Sequence, residues 1–209
     1  MHESVLPRHS LELLTRMEKL GTDTLRGWTL AGGTGLAFRL GHRTSEDLDF
    51  FRTDDMDTRE LHATLERLGD YEILQEEAHT LTILICRTKL SFFRVADPFL
   101  FASEPHRFFA VADPREIALM KLAAISGRGS RKDFADLYLL LQSPPSLATY
   151  FDWLPRKYGQ RRFSSYHILR SLTWFEDAET EPMPAMRVPF DWNACKAFFI
   201  REARAIVLN

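Results

Sequence analysis

Apolar side chains recur at Leu11, Leu13, Leu14, Met17 and Leu20, close to helical period, and Gly21 stands where such a helix would stop. The pattern then shortens. WTLAGG reads as a brief strand entering a glycine turn, Thr34 to Leu40 as a short helix closed by Gly41, and LDFF as a buried strand. Residues 57–68 regain the helical period, with Asp57 or Thr58 as the cap. YEILQEE, TLTILIC and KLSFFRV are three strand-like runs, with Arg87 and Thr88 as a tight connection between the last two. From Asp113 the texture turns helical: PREIALMKLAAI with Pro114 at its start, an interruption at GRGS, then RKDFADLYLLL and further helical stretches around the loop EPMPAMRVP. The pattern therefore predicts an α/β half over residues 1–110 and a mainly helical half over 111–209.

Composition adds bounds rather than a function. The 209 residues, 45% apolar and 27% charged, are those of an ordinary globular chain able to bury a substantial core. Nothing approaches the run of about 18 apolar residues that a membrane helix needs, and MHESVLPRHS has no signal-peptide character, so a cytoplasmic protein is expected. Cys86 and Cys195 are far apart and in no metal spacing, which predicts two reduced, buried thiols. A net charge of −2 excludes a general polycation, so any nucleic-acid binding has to come from a local patch. Residues 153–175 offer one: Arg156, Lys157, Arg161, Arg162 and Arg170, without an acid and with aromatics between them. That stretch is either a solvated basic helix face or an RNA contact surface.

The chemistry concentrates in AGGTGLAFRLGHRTSEDLDFF, residues 31–51. Gly32 and Gly33 follow a strand and open a helix, where glycine admits positive φ and lets a phosphate approach bare N–H groups. The helix N-terminus adds partial positive charge, and Thr34 a hydroxyl donor. A tight turn without a ligand would use the same glycines. Asp47 and Asp49, two apart, project to one face of a strand. Paired carboxylates repel unless a cation or protons intervene, and magnesium, held by one or two carboxylates plus substrate phosphates, is the natural cation.

GGTG, eleven intervening residues and DLDFF together resemble the signature of the DNA polymerase β-like nucleotidyltransferase superfamily. More closely, this stretch, KLSFF and EIALMKLAAISGRGSRKDFADLYLLL resemble the AbiEii/AbiGii-type abortive-infection nucleotidyltransferase toxins. The resemblance implies a nucleotidyltransferase-type mixed sheet flanked by helices, followed by a mainly helical half. It also implies a magnesium-dependent enzyme that moves a nucleotide from an NTP to an acceptor such as the tRNA acceptor end, with an antitoxin as partner. Carried over by motif, Asp47 and Asp49 would hold Mg2+, Gly32, Gly33 and Thr34 the phosphates, and Lys121 the triphosphate; Asp133 and Asp136 match the later KDxxD block.

The residues themselves leave alternatives open. Lys121 in IALMKLAAI must reach an anion or snorkel to solvent, since a lone buried ammonium is costly. Ser130 with Asp133 forms a capping-box-like pattern, which competes with an active-site role for Asp133. KLSFFRV places Ser91 where many polymerase β-like enzymes carry a third carboxylate, and serine is neither a good second-metal ligand nor a base at neutral pH. Asp97, beyond that strand, is a candidate substitute. A non-catalytic nucleotide- or RNA-binding module, or an enzyme with a small-molecule or protein acceptor, are the competing readings.

Overall fold

The computed structural model describes residues 1–21, 23–159 and 164–207. The chain divides into two compact units, Met1–Asp113 and Pro114–Asn209.

In the first unit, α1 (Arg8–Leu20) buries Leu13, Leu14 and Met17, and Gly21 ends it at φ 139°. Next come β1 (Thr29–Leu30), α2 (Gly32–Leu40), β2 (Leu48–Arg52) and α3 (Thr58–Glu66). The Asp57 carboxylate caps α3 by accepting from the N–H groups of Arg59 and Glu60 at 2.9 and 3.3 Å. β3 (Glu72–Glu77), β4 (Thr80–Ile85), β5 (Thr88–Arg94), β6 (Glu104–His106) and β7 (Phe109–Val111) complete a mixed seven-stranded sheet of order β3-β4-β5-β2-β1-β7-β6. β2 runs parallel to β5 and β1 parallel to β7, while the other neighbours are antiparallel. The β6–β7 hairpin escaped the sequence pattern because three-residue strands show no usable periodicity. Its second strand also carries residue 111 into the sheet, past the boundary expected at 110.

One sheet face is mainly apolar. Leu48 and Phe50 on β2, Leu90 and Phe92 on β5, and Leu81 and Ile83 on β4 are buried in one core with the inner face of α1. Burying a side chain of this size is worth about 1.5–3 kcal/mol, so this face sets the register. By strand alternation, the opposite face carries Asp49, Ser91 and Thr82 in one row, since Asp49 pairs with Ser91 and Ser91 with Thr82.

Between β4 and β5 the turn is made by Cys86 and Arg87, both at positive φ (50° and 63°), with Thr88 already in the strand. The turn lies one residue earlier than expected, and it exposes Cys86. Only Cys195 keeps the buried environment expected of both thiols.

The second unit contains α4 (Pro114–Gly127), α5 (Arg131–Leu140), α6 (Leu147–Tyr158), α7 (Ser165–Ser171), α8 (Glu176–Thr180) and α9 (Trp192–Ala205). Phe134 lies at its centre, with ring centroids 5.1 Å from Phe175 and 5.5 Å from Phe199. No helix among the described residues is long and apolar enough to cross a membrane.

Candidate active site

The glycine turn and the first aspartates meet in the first unit. Two-residue β1 leads directly into α2, whose N-cap, Ala31, has no side chain able to satisfy the first helical N–H groups. Gly32 adopts φ 60°, and a Cβ on it would stand 3.2 Å from Asp49 Oδ2. The Ala31 N–H donates to the Asp49 carbonyl at 3.0 Å, fixing the turn against β2. Gly32 and Gly33 remain half-exposed, which leaves the positive end of α2 open beside a carboxylate.

Thr34 faces inward and is only 1% exposed. Its hydroxyl lies 2.7 Å from Ser45 Oγ and donates to the Asp47 carbonyl, tying α2 to the segment that carries the first aspartate. The expected phosphate-facing hydroxyl is therefore engaged elsewhere, and contact at position 34 would run through the backbone N–H. Asp47 immediately precedes β2, half-exposed. Lys89, opposite it on β5, approaches its carboxylate at 3.7 Å. Both side chains are 40% or more exposed, so this pair contributes little stability. Lys89 was not singled out by motif, although its place two residues before Ser91 puts it on the same face.

Ser91 occupies the position directly across from Asp49. It is 1% exposed, and its hydroxyl has no hydrogen-bond partner among the described residues. Asp97 emerges at the other end of the strand pair, beyond Arg94, which itself lies opposite Arg52.

Two carboxylates beside an open helix N-terminus fit a hard divalent ion that takes its remaining ligands from phosphate and water. Among the described residues no cluster of three or more His, Cys, Asp or Glu side chains is present to hold an ion without such help. A groove of about 810 Å³ elsewhere in this unit is lined by Arg26, Trp28, Arg52, Asp54 and Arg67, not by the glycine turn. Arg52 there is taken up by Asp54 and the Trp28 ring.

In the second unit, Lys121 projects neither to solvent nor along the surface. Its ammonium is buried between Asp133 Oδ1 at 2.7 Å and Asp136 Oδ2 at 2.6 Å. Arg128 reaches Asp133 through Nε at 2.8 Å, and the Ser130 hydroxyl donates to the same carboxylate at 3.0 Å. Ser130 thus makes no side-chain cap, and the capping-box pattern is spent on an ion cluster instead. Burial would raise the Asp133 pKa, but Lys121 and Arg128 outweigh it and hold the carboxyl below its ordinary value of 3.8.

The basic stretch is only partly a surface. Arg156 and Arg170 are exposed, whereas Lys157 is buried and pairs with Glu116. Lys157 is therefore removed from the RNA-facing set: its charge is consumed inside the helical core. Arg161 and Arg162 lie outside the described residues.

Against this geometry, the sequence profile of the family described as "Nucleotidyl transferase AbiEii toxin, Type IV TA system" matches residues 23–85 and 87–205. The chain belongs to the AbiEii nucleotidyltransferase family. It is a nucleotidyltransferase. An uncharacterized protein of Aquifex aeolicus (strain VF5) is 32% identical over 209 residues, spanning 98% of each chain. Among solved structures, MenT4, a nucleotidyltransferase toxin of Mycobacterium tuberculosis H37Rv, is similar with a TM-score of 0.61 and 17% identity over 93% of this chain and 82% of that one. JHP933 of Helicobacter pylori is similar with a TM-score of 0.54 and 16% identity over 96% and 92%. At these identities the likeness speaks for the fold, an α+β architecture with a mixed sheet, which the AbiEii chain shares.

Proposed function

We propose that this AbiEii-family enzyme transfers a nucleoside monophosphate from an NTP to an RNA acceptor, such as the acceptor end of tRNA, in a magnesium-dependent reaction in the cytoplasm. In this reading residues 1–110 form the catalytic domain and 111–209 a helical companion, with an antitoxin protein as the cognate partner. The observation that supports it is the close approach of the glycine turn to the Asp49 carboxylate, whose Oδ2 would stand 3.2 Å from a Cβ at Gly32, so that the two motifs lie side by side.

The NTP phosphates would lie over the N–H groups of Gly32, Gly33 and Thr34, where the helix end supplies preorganised positive potential. Asp47 and Asp49 would hold Mg2+, which when bound offsets charge on the transferring phosphate. An acceptor hydroxyl attacks the α-phosphorus; the new O–P bond forms as the bond from the α-phosphorus to the bridging β-phosphate oxygen breaks, the hydroxyl's proton passes to solvent water, and pyrophosphate departs. Ser91 has no capacity to take the hydroxyl's proton at neutral pH, so positioning and charge carry the rate rather than a base on β5. Lys121, Asp133 and Asp136 are assigned a catalytic role by motif. What supports their acting as a set is that one ammonium binds both carboxylates.

The test incubates the protein with each labelled NTP, Mg2+ and total tRNA, alongside protein and small-molecule acceptors. Label on RNA that requires Asp47 and Asp49 supports the reading. Label on another acceptor class alone, or none above the Asp49→Ala variant, overturns it.

A further inference from the structure

A second concave feature lies wholly within the helical unit. A cavity of about 270 Å³ opens between the C-terminal end of α4 with the turn after it and α7 with the turn after that. Gly127 and Gly129 contribute bare backbone on one side, and His167, Arg170 and Trp174 side chains on the other. A Cβ on Gly127 would meet nothing within 4 Å, so the backbone there is open to an approaching group. Gly129 needs glycine for another reason, its φ of 55°.

Three chemistries meet here. Trp174 is 52% exposed, and its indole makes no ring contact or hydrogen bond among the described residues. A half-exposed indole beside a cavity offers a rigid ring on which a planar group can stack. Arg170 on α7 is exposed and has no carboxylate partner among the described residues. Arg128 is held from behind by Asp133 while its side chain remains 61% exposed, which fixes the guanidinium and leaves it accessible. The His167 ring is likewise anchored, with Nε2 donating to the Ser126 carbonyl at 3.1 Å. Asp177 is the acid on the rim, and against it stand two guanidiniums.

We propose that this cavity is a subsite for one nucleotide of single-stranded RNA, with the base stacked on Trp174 and the flanking phosphate held by Arg170 and Arg128. The volume lies just under the range of small-ligand sites, enough for a base and part of its ribose. Stacking on an aromatic ring flanked by arginine is the sequence-tolerant way to grip an unpaired base. Duplex RNA, whose bases are already stacked, does not offer this contact. The inference rests on the RNA-acceptor reading, which it refines by naming where acceptor RNA is gripped.

The test measures binding of a labelled single-stranded RNA 12-mer, a duplex of the same length, and a free NTP to wild type, Trp174→Ala, Trp174→Phe and Arg170→Ala. Trp174→Ala is expected to weaken single-strand binding roughly tenfold, with Trp174→Phe retaining most of it. Arg170→Ala is expected to lower the slope of log affinity against log salt by about 1. NTP affinity and melting temperature stay at wild-type values in all three variants. Single-strand affinity unchanged in both alanine variants, no binding of single-stranded RNA by wild type, or an equal loss of NTP affinity would each overturn the subsite. Wild type that binds single-stranded RNA through these residues yet transfers nothing to RNA would instead remove the acceptor reading and leave the subsite standing.

Discussion

Gly32 and Asp49 lie side by side with little room to spare: a Cβ on residue 32 would stand 3.2 Å from the carboxylate oxygen, which would have to give way by a few tenths of an ångström, and the backbone there is left-handed at φ 60°. Gly32→Ala is therefore expected to strain the turn by ~1–2 kcal/mol and to push Asp49 out of position. Thermal denaturation should show a modest loss, while nucleotide transfer at saturating NTP falls by a larger factor than stability explains. Full activity in the alanine variant would show that the contact is incidental.

Removing the charge at Asp49 without changing its shape isolates the electrostatic part. Asp49→Asn should lower kcat roughly a thousandfold, because several kcal/mol of charge stabilisation disappear with the ion. Titration of Mg2+ by calorimetry in the presence of a non-hydrolysable NTP should lose its binding signal in step. The same variant should melt within a few degrees of wild type.

Ser91 gives a prediction of opposite signs. Its buried hydroxyl has no partner among the described residues, so Ser91→Ala should be neutral or slightly stabilising and leave transfer intact. Ser91→Asp sets a third carboxylate across from Asp49, destabilising the metal-free protein by about 1–3 kcal/mol through like-charge repulsion. Added Mg2+ should restore the melting temperature of the aspartate variant selectively. A restoration equal to that of wild type would argue that position 91 does not face the ion.

The Asp133 cluster ties stability to acid. Its folded pKa lies below the ordinary value, so the protein is stabilised above the unfolded pKa, near 4, and loses that contribution as pH falls through the lower folded value. Asp133→Asn should cost about 3–5 kcal/mol at pH 7, since Lys121 loses a buried partner. Urea melts of wild type and variant at stepped pH should converge below pH 4, and a gap that persists unchanged there would contradict the sign.

The two thiols should behave oppositely. Cys195 is fully buried, and desolvation pushes its pKa up to about 12, whereas Cys86 is exposed at the β4–β5 turn. A thiol reagent at pH 8 should modify one cysteine in the folded protein, lost in Cys86→Ser, and two after denaturation. Rapid double labelling under native conditions would contradict the buried position of Cys195.

Much of the site was legible because its signals are local. Glycines before a short apolar helix and aspartates two apart specify a turn and a face within twenty residues, and strand alternation fixes which way they point. Across the sheet, the resemblance of KLSFF to the strand that carries a third carboxylate places Ser91 beside the aspartates, and the structure supplies the register that sets it across from Asp49. Long-range partners were not legible in that way. Nothing in RKYGQRR distinguishes Lys157, which folds inward onto Glu116 forty-one residues away, from the exposed Arg156 beside it. The inward turn of Thr34 toward Ser45 and Asp47 was hidden for the same reason. Of the two environments open to Lys121, an anion or solvent, it takes the anion, but which carboxylates it meets was not legible because they come from the next helix.

β1 is two residues long, yet both of its edges are occupied: by β2 on one side and β7 on the other. The hydrogen bonds that leave it, from Ala31 to Asp49 and from Ala112 to Leu30, reach to the first residue of the glycine turn. The turn consequently hangs from the middle of a sheet rather than from a loop, and the Ala31 amide proton, donated to the Asp49 carbonyl, should exchange only when the sheet as a whole opens. Rigidity of that origin means the cradle is already shaped before a nucleotide arrives, and binding energy need not be diverted into ordering it.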